Sequence, residues 1–360
     1  MSIPYGSIVC NTLVTGVNPA GLATTPNGKL LYVANNNNYG MPGQDSVSVF
    51  KVKTGKPVTT IHHASFNQPY TITINEKGDI AYVTNSNTPL TKDLPGTITK
   101  IDTKSNKIIG VIGKLPPSKG GLDGPSGMVI KDNIAYVNNY GGPGGLTSGL
   151  GTTVSVIDLD TDNIIDTIKV DQAPAALAIT PNGKYIYVAN YVDGNTKTGT
   201  VNVIKTCNNK IVGTIRGFSG PFAIVVTPDG KRVYVTNFGS NNFRPIGNTV
   251  SIIDTAQDHI VKTITLGIQP SGLSITPNGR YAFVSNYNTL YAEFIPPSTY
   301  NSLTAGQGTV NIIDVYREKL MSSVITVGQS PANIAISPNG KYVFVSNFTS
   351  NTVSVLLLNK

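Results

Sequence analysis

Residues able to do acid–base, nucleophilic or metal chemistry are few in this 360-residue chain. The histidines are His62, His63 and His259, the glutamates Glu76, Glu293 and Glu318, and the cysteines Cys10 and Cys207. No Cys/His/Asp cluster has the spacing of a metal site, and no Cys-x-x-Cys-His run marks a haem attachment. His62-His63 is the one local constellation, and adjacent strand residues point to opposite faces, so the pair reads as polar loop chemistry. An acid–base pair would have to draw mainly on aspartates. Asp45, Asp93, Asp123, Asp171 and Asp193 all fall between apolar runs, where Asp bonds its own backbone in tight loops. The expectation is therefore no catalytic residue, no metal and no cofactor.

The elements that would position any site are set by a repeat. Tyr/Phe-Val-x-Asn returns seven times, with its Asn at Asn35, Asn85, Asn139, Asn190, Asn237, Asn286 and Asn347. Each copy follows a proline (Pro19, Pro69, Pro125, Pro174, Pro221, Pro270, Pro331) by sixteen residues, except the third, at fourteen. Between them lies a Pro-Asn/Asp-Gly-Lys/Arg turn at Pro26, Pro181, Pro228, Pro277 and Pro338; "NEKGD" replaces it in the second unit and a shortened "KDN" in the third. A period close to fifty residues marks a repeat array. Each unit reads as four β-rich runs broken by Gly, Asn, Asp and Pro, with no long helical period. A lone four-stranded meander cannot bury both faces, so the units must stack.

Radial stacking gives the predicted fold: an all-β, seven-bladed β-propeller of four-stranded antiparallel blades (strands A to D), one domain over 1–360. The blades are expected at 18–63, 68–113, 124–170, 173–217, 220–266, 269–327, and 330–360 plus 7–15. The last unit ends after its strand C, "TVSVLLLNK", while "SIVCNTLVT" (7–15) precedes the first proline as strand D does elsewhere. The N-terminal strand should thus join the C-terminal strands A–C and close the ring, hiding two edges. Cys10 and Cys207 then lie in blades 7 and 4, too far apart for a disulfide.

With Tyr82-Val83-Thr84-Asn85 and Tyr234-Val235-Thr236-Asn237 intact, the chain resembles the YVTN family of seven-bladed propellers over essentially its whole length. That resemblance implies the fold. Its wider superfamily includes lactonases and propeller subunits of redox enzymes, and fold alone carries none of those activities across.

A meander sends its D–A and B–C loops to one face and its A–B and C–D hairpins to the other. On the first face the residue after the repeat Asn is aromatic in five blades: Tyr140, Tyr191, Phe238, Tyr287 and Phe348. Tyr39, Tyr291, Glu293, Phe294 and Tyr300 stand further out in the same loops, the longest of which follows Asn286. Variable loops on a regular scaffold are where binding sits, and Tyr offers contact area with a polar tip. The repeat Asn itself is expected to be structural, satisfying backbone groups where strand B ends. The opposite face carries a basic ring of Lys29, Lys77, Lys131, Lys184, Lys231, Arg232, Arg280 and Lys341, set against Asp158, Asp160, Asp162, Asp254 and Asp258 in the C–D hairpins.

The formal net charge is +8 with only 13% charged residues, which admits an acidic partner or nucleic acid. No recognised nucleic-acid module is present. The N-terminus lacks a signal-peptide pattern, and no apolar run is long enough to span a membrane. The expectation is a soluble intracellular monomer or weak oligomer, with a cell-surface or virion-associated location as the alternative. Its expected function is a non-catalytic scaffold that binds a protein through the B–C and D–A loop face. The alternatives are a lactonase-like hydrolase with a central-channel site and a basic face for nucleic acid or an acidic partner.

Overall fold

The computed structural model describes residues 8–37, 44–86, 95–141, 150–192, 198–239, 246–287 and 307–358. They form seven four-stranded antiparallel sheets arranged as a propeller, and six of them run in sequence order from strand A to strand D. The seventh is built from both ends of the chain: Ile8–Val14 pairs with Thr352–Leu357 as its strand D. The predicted fold and its mode of closure are thus both present.

The two repeat markers face each other. In every blade the proline that opens strand A is the pairing partner of the repeat Asn of strand B, as in Pro19↔Asn35, Pro174↔Asn190 and Pro331↔Asn347. Pro suits this position because the first residue of a strand need not donate to the ladder. The residue before each proline has a left-handed backbone: Asn18, Gln68, Gly124, Ala173, Gly220, Gln269 and Ser330 have φ between 51° and 58°. That twist turns its carbonyl toward the residue after the repeat Asn, whose N–H it accepts in each blade, from Asn36 to Phe348. At the other end of the A–B pair, Asn27 Oδ1 accepts from Thr25 Oγ1 (2.7 Å) and from the Lys29 N–H (3.0 Å), and four further blades repeat the device.

Strand B is buried on both faces, which is why it reads as a nearly unbroken apolar run. The core is seven clusters, one between each pair of neighbouring blades. Tyr32, Val47 and Val49 pack on Ile72, Val83 and Ile101 between blades 1 and 2. Leu13, Phe344 and Val353 pack on Leu22, Val33 and Phe50 across the closure. The motif tyrosines reach further. Tyr32 Oη donates to Asn106 Oδ1 (2.6 Å), Tyr136 Oη to Asn209 Oδ1 (3.0 Å) and Tyr187 Oη to Asp258 Oδ1 (2.7 Å), each in the C–D hairpin of the next blade. In blade 6 the residue is Phe283, which packs with Leu356 and Leu358 of blade 7. Blade 7 takes its strand D from the other end of the chain, so it has no C–D hairpin to receive a hydroxyl.

Candidate functional site

The strands A converge on a central channel that opens on the B–C and D–A loop face, with a cavity of about 470 Å³. All seven strands A contribute to its wall, largely through small residues such as Ala20, Gly21, Ser126, Gly127, Ala175 and Gly272. The crowding is real: a Cβ on Gly21 would stand 2.3 Å from the Tyr70 carbonyl oxygen of the next blade. The mouth, by contrast, is ringed by aromatics.

Tyr140, Tyr191, Phe238, Tyr287 and Phe348 all line this mouth. They arrive there because the clamp between the pre-proline carbonyl and the following N–H fixes the chain just after the repeat Asn. Tyr70 and Phe222, each directly after the proline of its unit, add two rings from strand A. Their signal was present in the sequence, since the other five units place Ala or Ser there. Four of the rings form a continuous ladder over blades 4 to 6. Tyr191 meets Phe222 edge-on (6.3 Å, 78°), Phe222 meets Phe238 (5.2 Å, 35°), and Phe238 meets Tyr287 (6.2 Å, 60°). Such spacings are favourable beyond the area they bury. Phe238 is buried while Tyr191, Phe222 and Tyr287 are half-buried, so the ladder offers faces and edges to the mouth. Tyr191 Oη also donates to the Gly239 carbonyl of blade 5. Five residues expected in the same loops, Tyr39, Tyr291, Glu293, Phe294 and Tyr300, lie outside the described residues, as do Asp93 and Asp193.

Two described aspartates of this face, Asp45 and Asp171, reach other elements rather than their own turn. Asp171 Oδ2 accepts from Thr200 Oγ1 (2.6 Å) and Asn202 Nδ2 (3.2 Å), tying the D–A loop to strand C of blade 4. Asp45 Oδ2 accepts the Gln68 N–H (3.1 Å), while its Oδ1 is buried with no partner among the described residues. Burial pushes the Asp45 carboxyl up to about 6, against the smaller opposing effect of the Gln68 hydrogen bond.

The repeat asparagines mainly satisfy side chains. Asn35 Nδ2 donates to Ser46 Oγ (3.0 Å) and Ser48 Oγ (2.9 Å), Asn237 Nδ2 to Thr249 Oγ1 and Ser251 Oγ (both 2.9 Å), and Asn347 Nδ2 to Thr352 Oγ1 (3.0 Å) and Ser354 Oγ (2.9 Å). Asn85, Asn139, Asn190 and Asn286 likewise reach two alternate side chains of strand C. A backbone role is seen in three blades: Asn139 Oδ1 accepts the Asp123 N–H (3.2 Å), and Asn85 and Asn190 donate Nδ2–H to the Val83 (3.4 Å) and Val188 (3.3 Å) carbonyls.

The basic ring of the opposite face is not uniform. Arg232 sits between Asp254 (2.5 Å) and Glu318 (3.0 Å), and Lys131 pairs with Glu76 (3.0 Å). Arg280 and Lys341 lie over the rings of Tyr281 (5.2 Å) and Tyr342 (5.8 Å). Lys29, Lys77, Lys184 and Lys231 are exposed. His63 Nδ1 is within 2.8 Å of Ser65 Oγ, a loop contact, and Cys207 is an exposed free thiol. Among the described residues no group of three or more His, Cys, Asp or Glu could hold a metal ion, and no helix is long and apolar enough to cross a membrane.

Comparison with known proteins agrees with this architecture. Residues 7–107 match the family model "Lactonase, 7-bladed beta-propeller". A seven-bladed beta-propeller protein of Mycobacterium tuberculosis is 30% identical over 170 residues, 47% of this chain and 37% of that protein's length. The likeness therefore spans little more than a third of that relative. Hydrazine synthase of Kuenenia stuttgartiensis superposes with a TM-score of 0.73 at 21% identity, covering 96% of this chain and 97% of the other, which is a likeness of fold alone. With seven copies of Tyr/Phe-Val-x-Asn, one per blade, the chain is a seven-bladed β-propeller.

Proposed function

We propose that this propeller is a non-catalytic binding protein whose channel mouth receives an extended protein segment bearing an aromatic or other large apolar side chain. The observation that carries the reading is the ladder Tyr191–Phe222–Phe238–Tyr287 at the rim of a 470 Å³ cavity. A cavity of this size takes one or two side chains, and rigid rings give contact area at low entropic cost. The clamped carbonyls beneath them hold the rings in place, so little ordering is left to be done on binding.

The match of residues 7–107 to a lactonase model favours hydrolysis as the second reading. A hydrolase needs a base within hydrogen-bond reach of its water. Among the described residues, none lining the channel is a carboxylate or a histidine. Selection from a displayed random-peptide library tests both readings. Peptides with an aromatic residue at a fixed position should be enriched, and Phe222→Ala with Tyr287→Ala should weaken them by at least about tenfold. Enrichment indifferent to those substitutions, or turnover of a lactone panel by the purified protein, would contradict the proposal.

A further inference from the structure

The underside of the ring holds a second cleft, remote from the channel mouth. It encloses about 820 Å³ among the A–B hairpins of blades 7 and 1 and the C–D hairpins of blades 1 and 2. Lys29, Lys51, Lys53, Lys104 and Lys341 line it, all exposed, and among the described residues no carboxylate does. Only Lys29 and Lys341 come from the A–B turns that repeat in most blades.

Lys51 and Lys53 come from the C–D hairpin of blade 1, and Lys104 from that of blade 2. At the end of strand C, opposite the start of strand B, blades 2, 3, 5 and 6 carry Asp102, Asp158, Asp254 and Asp314. Blade 1 carries Lys51 at that register, opposite Leu30, and Lys53 follows in the same hairpin. Two other cations are held by carboxylates, Lys100 by Asp162 (2.6 Å) and Arg232 by Asp254 and Glu318. None of the five cleft lysines stands in an ion pair with a carboxylate among the described residues. The acidic neighbour of Lys104, Asp102, accepts from Ser105 Oγ (2.5 Å) and the Ser105 N–H (2.7 Å). Like charges around one concave surface raise its potential and draw in anions.

The side chains also narrow the class of anion. Lysine is a point charge on a flexible stem and does not impose the bidentate geometry of arginine, so the cleft reads charge density more than shape. Bases of single-stranded nucleic acid bind on open aromatic faces. The one ring here, Tyr342, is already faced by Lys341 at 5.8 Å. We propose that this cleft binds a linear phosphate chain of the inorganic polyphosphate kind, held by Lys29, Lys51, Lys53, Lys104 and Lys341.

Binding of a short fluorescent polyphosphate to the full chain, measured over a range of salt concentrations, tests this. Affinity should fall steeply with salt. The triple variant Lys51→Ala, Lys53→Ala, Lys104→Ala should weaken it by at least about tenfold and flatten the log–log salt slope by roughly two, three charges at about 0.7 each. A control triple, Lys184→Ala, Lys210→Ala, Lys262→Ala, removes the same charge elsewhere and should change affinity by less than about twofold. Should the cleft triple lose its thermal transition, the milder Lys53→Gln and Lys104→Gln variants carry the same comparison. Equal loss in the control, or no polyphosphate binding at low salt, overturns the proposal. So does tighter binding of a single-stranded oligonucleotide at equal phosphate concentration, which would assign the cleft to nucleic acid.

Discussion

Each position of the repeat tetrapeptide has a separate task. The tyrosine crosses to the next blade's hairpin, the valine fills the inter-blade core, and the asparagine binds two alternate side chains of strand C. Where it is a hydroxyl residue, the third position ties to strand A: Thr84 Oγ1 accepts the Thr71 N–H (3.1 Å), and Ser346 Oγ donates to the Ala20 carbonyl (2.7 Å) across the ring closure. Asn237→Ala would leave Thr249 and Ser251 without their shared donor and should cost about 2 kcal/mol in urea unfolding. Asp45 gives a pH prediction. Its folded pKa of about 6 lies above the ordinary carboxylate value of 3.8, because burial disfavours the charged form. Its contribution is therefore unfavourable above about pH 6 and fades as pH falls toward 4, the reverse of a paired carboxylate. Asp45→Asn keeps an acceptor for the Gln68 N–H and should stabilise the fold at pH 7 by ~1 kcal/mol, a value reduced for solvent screening at a half-buried group. It should also flatten stability between pH 4 and 6, as thermal melts across that range would show. The sequence marked Asp45 and Asp171 as loop residues but not their partners, which lie 23 and 29 to 31 residues away in other elements.

At the scale of the element, the strand A to strand B unit depends on the left-handed residue before each proline. Its conformation was not legible, because Asn, Gln, Gly, Ala and Ser all occupy that position and the residue before a proline is ordinarily extended. Where the unit demands glycine, the reason is steric. In blades 3 and 5 strand B runs on to Gly141 and Gly239, whose carbonyl oxygens would stand 2.1 and 2.3 Å from a Cβ at Gly124 and Gly220. In blade 4 strand B ends at Asn190, and Ala173 is accommodated. Gly220→Ala adds this overlap to the left-handed penalty and should cost about 3 kcal/mol by chemical denaturation. The strands themselves were readable from Pro–Asn spacing and turn chemistry. The aromatic ladder was readable only in part, since Phe222 and Tyr70 come from strand A rather than from the loops.

For the whole molecule, closure couples residues more than 300 positions apart. Leu13 is buried in the cluster joining blades 7 and 1, and the Asn18 N–H donates to Asn351 Oδ1 (2.8 Å). Removing residues 1–14 should expose the edge of Thr352–Leu357, cost roughly 3–5 kcal/mol, and produce dimers or larger species on size exclusion. The repeat count made the propeller legible, whereas the lysine cleft needed the ring, because Lys341 and Lys29 become neighbours only after closure. The two faces differ accordingly, with an aromatic mouth above and a divided field of charge below. Hydrogen–deuterium exchange with a saturating library-selected peptide tests the binding account most directly. The account predicts protection at the backbone of residues 222–224, 238–239 and 287, with the A–B hairpins unchanged. Protection confined to the A–B and C–D hairpins, with the mouth unaltered, would contradict it.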